Sequence, residues 1–348
     1  MPAQITPEDV RAAFARIEEE LISSMVRNLA RHRAEEAEYG FDWAQWQALQ
    51  LESLDAYARD NAHRNGPRFD AINAKIEDAI RNAYADGGAK AEAGILEAIR
   101  RGWDSPAHHG GTFFHVNSRR LDALVDATHA DMMRAEHAVL RKARDAYRKA
   151  VFDAQVYAAS GAGTFEKAID MATDDMLRSG LASVTYANGA VHRASEYAAM
   201  AVRTAVKRAT FAGDGQMRQE WGVHTVVVNH RTLACSQCME WCGRVLVDDV
   251  YSGGTAAEAS ASGYALLSDA MAAGLFHPNC RDTMSTWFPG VSDEPTKPPE
   301  SERKAANERE YLERAETAAE SNSERYRRLS EYSLDDTKRE KYAALADE

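Results

Sequence analysis

All four cysteines of this 348-residue chain fall between Cys235 and Cys280, and their spacing constrains the fold more than any other feature. Cys235-Ser-Gln-Cys238 is a Cys-x-x-Cys pair, and His277-Pro-Asn-Cys280 repeats the spacing with histidine in the first place. This is the ligand pattern of a tetrahedral zinc site, in which each short turn aims two donors at one point. An ion held by Cys235, Cys238, His277 and Cys280 would tie together two segments about 40 residues apart and offset the entropy of closing the loop between them. Four protein ligands leave no position for a reactive water, so the expected zinc is structural rather than catalytic. Cys242 and His230 stand nearby as substitutes for a proposed ligand. Two plainer readings stay open at this level. Free cysteines are often buried as small apolar side chains, and two of these could form a disulfide or redox pair.

The charge balance argues against one class of function. Asp and Glu number 54 against 42 Lys and Arg, a net charge of -12, so the chain as a whole does not read as a DNA-coating protein. No apolar run approaches the ~20 residues that a membrane-spanning helix needs. Met1-Pro-Ala-Gln-Ile-Thr-Pro lacks the basic stretch and apolar core of a signal peptide. The cysteines are therefore expected to stay reduced, which favours metal over disulfide.

Helix signals dominate up to about residue 210. Thr6 caps a helix that opens with Pro7, Glu8 and Asp9. Val10, Phe14, Ile17, Leu21, Met25 and Leu29 then recur at steps of three and four. Trp43, Trp46, Leu49 and Leu54 mark the buried set of a second helix, which Gly66-Pro67 is expected to end. Phe69, Ile72, Ile76 and Ile80 mark a third. Gly102 to Gly111 reads as a turn-rich loop, and its adjacent His108 and His109 invite a metal reading that would need a third ligand converging on them.

From Asn117 or Ser118 to about Tyr157 the pattern predicts one helix of roughly 60 Å at 1.5 Å per residue. Leu121, Leu124, Thr128, Met132, Val139, Ala143, Tyr147 and Val151 share one face. Arg141, Lys142, Arg144, Arg148 and Lys149 form a basic patch, which reads first as solvated surface. Ser160-Gly-Ala-Gly163 interrupts the pattern, a further helix ends at Gly180, and another runs to about Thr210 carrying Arg193, Arg203, Lys207 and Arg208.

After Gly213-Asp-Gly215 the texture changes. Val223–Val228, Arg244–Val247 and Thr283–Phe288 are strand candidates around a short helix from Tyr264 to Ala273, so the Cys/His turns fall at strand ends. Beyond Pro289-Gly290 a linker rich in Pro, Glu and Lys leads to a charged helical tail, with Tyr311, Leu312, Tyr326, Leu329 and Tyr332 as sparse apolar contacts. The expected fold is mostly α with a small α+β C-terminal module: long amphipathic helices, then a short-stranded metal-knuckle domain, then a helical tail. Its expected divisions are an N-terminal helical region (1–112), a central long-helix region (113–214), the Cys/His module (215–292) and the linker with its tail (293–348).

Catalytic signatures are missing from the sequence. It contains no phosphate-binding Gly-rich loop ending in Gly-Lys, no His-Glu-x-x-His and no Gly-x-Ser-x-Gly elbow. A zinc deaminase would need His-x-Glu with Pro-Cys-x-x-Cys, and neither is present.

The run from Leu266 through Gly274-Leu-Phe-His277-Pro-Asn-Cys280-Arg281, followed by Phe288-Pro-Gly290, resembles the phage minor capsid protein 2 family, related to the Mu F-like head morphogenesis proteins. Two further blocks are similar: Ala187-Asn-Gly189 through the basic helix to Arg208, and His230 through Trp241-Cys-Gly-Arg244. Two positions depart from the family pattern. Asp282 stands where relatives often have histidine, and Cys235-x-x-Cys238 stands where many have a turn without the cysteine pair. The resemblance implies a structural protein of a tailed-phage head, made in the host cytoplasm and present in multiple copies per virion. It implies a place near the portal vertex, with the portal protein and/or the major capsid protein as partners, and a part in head assembly or DNA packaging and ejection. The basic faces from Arg141 to Lys149 and from Arg193 to Arg208 could meet packaged DNA. Two other classes remain: an enzyme, a nuclease or a thiol-dependent activity, built on the Cys/His cluster, and a DNA-binding adaptor.

Overall fold

The computed structural model describes residues 4–39, 43–104, 118–159, 165–179, 183–185, 191–230 and 234–346. The chain is 75% helical with a small four-stranded mixed sheet, the mostly α architecture with an α+β module expected from its patterning. In order, the elements are α1 (Pro7–Tyr39), α2 (Trp43–Arg100), α3 (Ser118–Ala159), α4 (Phe165–Ser179), β1 (Ser183–Thr185), β2 (Val191–Arg193), α5 (Ala194–Glu220) and β3 (Thr225–Val228). Then follow α6 (Ser236–Met239), β4 (Val245–Val247), α7 (Ala256–Ser262), β5 (Ala265–Leu266), α8 (Leu267–Ala272), β6 (Met284–Thr286), α9 (Glu300–Tyr332) and α10 (Asp336–Ala346). His108, His109, the break at 160–163 and Gly180 lie outside the described residues, as do the side chains of Trp43, Trp46 and Leu49.

The chain forms two compact units. The helical one comprises Thr6–Asn73, Asp131–Ala199 and Ala315–Glu348. All six apolar residues of the α1 stripe are at most 2% exposed, each burial contributing roughly 1.5–3 kcal/mol. Phe14 packs on Phe69 with ring centroids 5.2 Å apart, and Tyr57 stacks on Tyr147 at 5.4 Å. The Tyr57 hydroxyl donates to the Leu21 carbonyl at 3.1 Å, and burial pushes its pKa up to about 12. These contacts explain why α2 does not end at Gly66-Pro67. Leu54 and Tyr57 before the proline and Phe69 after it are all buried in this unit, and their packing outweighs the ~3 kcal/mol that proline costs inside a helix. The tail is fastened at Asp174 of α4, which accepts from Ser333 Oγ (2.9 Å) and Lys338 Nζ (2.7 Å). Leu329 and Tyr342 are buried there.

The second unit comprises Met1–Ile5, Ala74–Ala130 and Met200–Arg314, and so contains the whole of residues 215–292. Its sheet has the order β5-β4-β3-β6, with β3 antiparallel to both neighbours and β5 parallel to β4. Helix α5 continues past the glycines expected to end it. A Cβ on Gly213 would lie 1.9 Å from the Tyr84 carbonyl oxygen, so this glycine serves close approach to α2 rather than termination. The expected helix from Tyr264 to Ala273 is divided, because Ala265 and Leu266 pair with β4 before α8 begins. The Asp249 carboxylate caps α8 from outside, accepting from Ser268 N (2.9 Å) and Ser268 Oγ (2.5 Å).

Arg218 at the end of α5 is fully buried and donates to the equally buried Asp248 at 2.8 Å. Asp248 Oδ1 also accepts from the backbone of Val250 and Tyr251, fixing the turn after β4. The stretch read as a linker lies against this unit. Gly243, at φ +69°, sits where a Cβ would meet the Thr296 carbonyl at 2.1 Å. Ala306 belongs to the same buried cluster as Cys238 and Cys280. Tyr311 and Leu312, expected as tail contacts, are instead 72% and 53% exposed.

Candidate metal centre

Two turns bring the Cys/His residues together. The first follows β3: Cys235 is the N-cap of α6, extended at φ -69° and ψ 164°, and its Sγ accepts from the Cys238 amide at 3.4 Å. A helix of four residues suffices to place Cys238 on the buried side. The second turn follows α8, where Phe276 and Asn279 both adopt left-handed φ, 54° and 68°. That conformation is costly for residues other than glycine, and neighbouring groups hold it. Phe276 is buried against Phe211 at a centroid distance of 4.9 Å. The Asn279 amide donates to Thr204 Oγ1 at 3.2 Å, and its side-chain oxygen accepts from Arg203. Lys207 Nζ donates to the carbonyls of Cys280 and, at 2.7 Å, Asp282. Three residues within about one turn of α5 therefore clamp the His-Pro-Asn-Cys turn.

Among the described residues, two groups of potential ligands have donor atoms all within 4.8 Å of one another: Cys235, Cys238 and His277, and Cys238, Cys280 and Asp282. Cys235 Sγ lies 3.0 Å from His277 Nε2, and Cys238 Sγ lies 3.4 Å from Cys280 Sγ. His277 Nδ1 is 2.8 Å from the Pro278 carbonyl. A proton held there leaves Nε2 as the ligating nitrogen, the usual arrangement of a metal-bound histidine. The Asp282 amide donates to Cys280 Sγ at 3.3 Å, as the Cys238 amide does to Cys235. Both bonds favour the thiolate.

Without metal the cluster shares protons unevenly. Hydrogen bonding from Cys238, helped by His277, pulls the Cys235 thiol down to about 4, and Cys235 in turn raises His277 to about 9. Cys280 falls to about 7, chiefly through its hydrogen bond with Cys238, with Lys207 adding to the effect. Cys238, between Cys235 and Cys280, is pushed up and keeps its proton. A metal ion would displace that proton and the one on His277 Nε2. Soft sulfur donors, an oriented imidazole and preset amide donors together fit a zinc-class ion.

All four sequence-expected ligands lie in these two groups. Of the substitutes, Cys242 is buried in the core cluster outside both groups, and His230 Nε2 instead meets Glu302 at 3.1 Å. Asp282 is a potential donor that ligand spacing does not reveal. Its only signal in the sequence is a position two residues beyond Cys280, where it stands out as a departure from a family pattern rather than as a ligand. The basic residues read differently in three dimensions. Arg141, Arg144 and Lys149 pair with Asp145, Asp55 and Asp153 at 3.7, 3.1 and 2.5 Å, and Arg203 and Lys207 support the ligand turn.

The model of the family described as phage minor capsid protein 2 matches residues 3–348. The chain belongs to that family, and with it to the phage virion. No curated protein and no solved structure matches it. No described helix is long and apolar enough to cross a membrane.

Proposed function

We propose that this chain is a structural minor capsid protein seated at the portal or inner capsid vertex, with a zinc ion on Cys235, Cys238, His277 and Cys280 stapling its α+β module. The observation that carries the reading is a family match spanning essentially the whole chain. Its helices also carry more apolar surface than their own packing uses: Phe152 and Val156, one turn apart on α3, are 59% and 52% exposed. Such pairs suit contact with helices of the portal or major capsid protein. The acid partners of Arg141, Arg144 and Lys149 favour a solvated surface over DNA contact for that patch. Membership in a structural family is the ground for reading the chain as no enzyme. Quantitative mass spectrometry of purified particles, with cross-linking, tests the proposal. Several copies linked to the portal are expected, and absence from the particle overturns it.

One observation favours a second reading, a thiol-dependent activity. The partly buried Cys235 Sγ lies 3.0 Å from His277 Nε2, a thiol–imidazole contact of the kind that activates a nucleophilic cysteine. Alkylation by iodoacetamide separates the two. A zinc-stapled protein reacts slowly at Cys235 until a chelator is added, whereas a free nucleophile reacts at once in the protein as purified.

A further inference from the structure

The donor atoms at this centre run from neighbour to neighbour in two overlapping groups rather than closing into one. His277 Nε2 is 3.0 Å from Cys235 Sγ, Cys238 Sγ is 3.4 Å from Cys280 Sγ, and Cys280 Sγ is 3.6 Å from Asp282 Oδ2. Cys238 is the member common to both three-donor groups. A single tetrahedral zinc at ~2.3 Å from each sulfur would hold its sulfur donors about 3.8 Å apart. Here Cys280 instead groups with Cys238 and Asp282, and not with Cys235 and His277.

We propose that these donors bind two divalent ions of the zinc class, one on Cys235, Cys238 and His277 and one on Cys238, Cys280 and Asp282, with the Cys238 thiolate shared. The proposal rests on the metal reading above, keeps its four ligands, and replaces its single ion with two by adding Asp282. Burial supports it beside the distances. Cys238, Cys280 and Asp282 are all buried, and adjoining buried polar donors are costly unless something compensates them. Burial is graded between the two groups as well. Cys235 and His277 are partly exposed and the Cys238, Cys280 and Asp282 group is closed to solvent, so the outer ion is expected to exchange faster.

The test is metal stoichiometry on the full-length protein, loaded with zinc, desalted, and measured by elemental analysis and native mass spectrometry. Two zinc ions per chain are expected, falling to one in Asp282→Asn, whose near-identical shape preserves packing. Titration of the wild type with cobalt gives a readout that needs no variant. Thiolate-to-cobalt charge-transfer absorbance should rise to two equivalents, and the shared thiolate should couple the two ions magnetically and lower the paramagnetism per cobalt. One ion per chain in the wild type, or two that persist in Asp282→Asn, overturns this inference and leaves the four-ligand site standing. No bound metal at all overturns the four-ligand site too.

Discussion

Cys235 Sγ and His277 Nε2, 42 residues apart in the chain, lie 3.0 Å from each other. Cys238 and Cys280, also separated by 42 residues, lie 3.4 Å apart. The two turns are therefore laid against each other in register, first donor to first and last to last. Local conformation makes each turn, but only tertiary packing can set this register.

Cys238→Ser removes the donor common to both ligand groups. Structural zinc supplies on the order of 10 kcal/mol of folding free energy in small metal-dependent modules, comparable to the ~5–15 kcal/mol stability of a whole domain. Amide exchange measured by mass spectrometry should show lost protection from Thr225 to Thr286 in the variant, and equally in wild type treated with a chelator. Protection in the α1 stripe should persist. Unchanged exchange in both would mean that no metal staples the module.

The metal-free module should have a bounded pH optimum. Cys235 has a folded pKa of about 4 against an ordinary 9, so its contribution is complete above pH 9 and lost as pH falls toward 4. His277 has a folded pKa of about 9 against 6.5, so its contribution is complete below pH 6.5 and lost as pH rises through 9. The two describe one shared ion pair, which exists between about pH 4 and 9. Urea midpoints measured in chelator should fall on both sides of that window, and Cys235→Ser should flatten the profile.

The buried Arg218 distinguishes its two carboxylate neighbours. Asp248→Asn keeps an acceptor for the Val250 and Tyr251 amides but leaves a fully buried guanidinium without its close partner, at an expected cost of about 3–5 kcal/mol. Asp214, 3.6 Å away, has its carboxyl raised by burial against the opposing pull of Arg218. A raised folded pKa means stability lost as pH rises, so Asp214→Asn should be neutral or stabilising at pH 7. Equal losses for the two variants in urea denaturation would contradict this assignment.

Two helical glycines should respond in opposite directions. Gly213→Ala forces a Cβ to within 1.9 Å of the Tyr84 carbonyl oxygen, an overpacking that typically costs about 1–3 kcal/mol. A Cβ on Gly94 in α2 would meet nothing within 4 Å, so Gly94→Ala should gain about 0.5–1 kcal/mol through helix propensity. Thermal denaturation of the two variants gives the comparison directly.

Much of the architecture could be read locally. The α1 stripe is buried as its spacing requires, and α3 begins at Ser118. The three expected strands all form, each shorter than its apolar run, because pairing partners limit them to three or four residues. The candidate ligands are legible because metal-binding turns impose spacing within a few residues. Asp282 is not, since only its place beside Cys238 and Cys280 makes its carboxylate a candidate donor. Lys207 reads as part of a basic face in the sequence, and only its bonds to the ligand turn show its role.

Helical periodicity, strand composition and ligand spacing were determined by the sequence itself, because each depends on neighbours within a turn or two along the chain. Tertiary structure decided that α2 passes through Pro67, that α5 passes through Gly213, that the 293–299 stretch lies against the Cys/His module, and that two turns 42 residues apart meet in register. The reason is energetic. Proline and glycine carry local penalties of a few kcal/mol at most, and burial against distant segments exceeds them. No local pattern records which distant segment will be there.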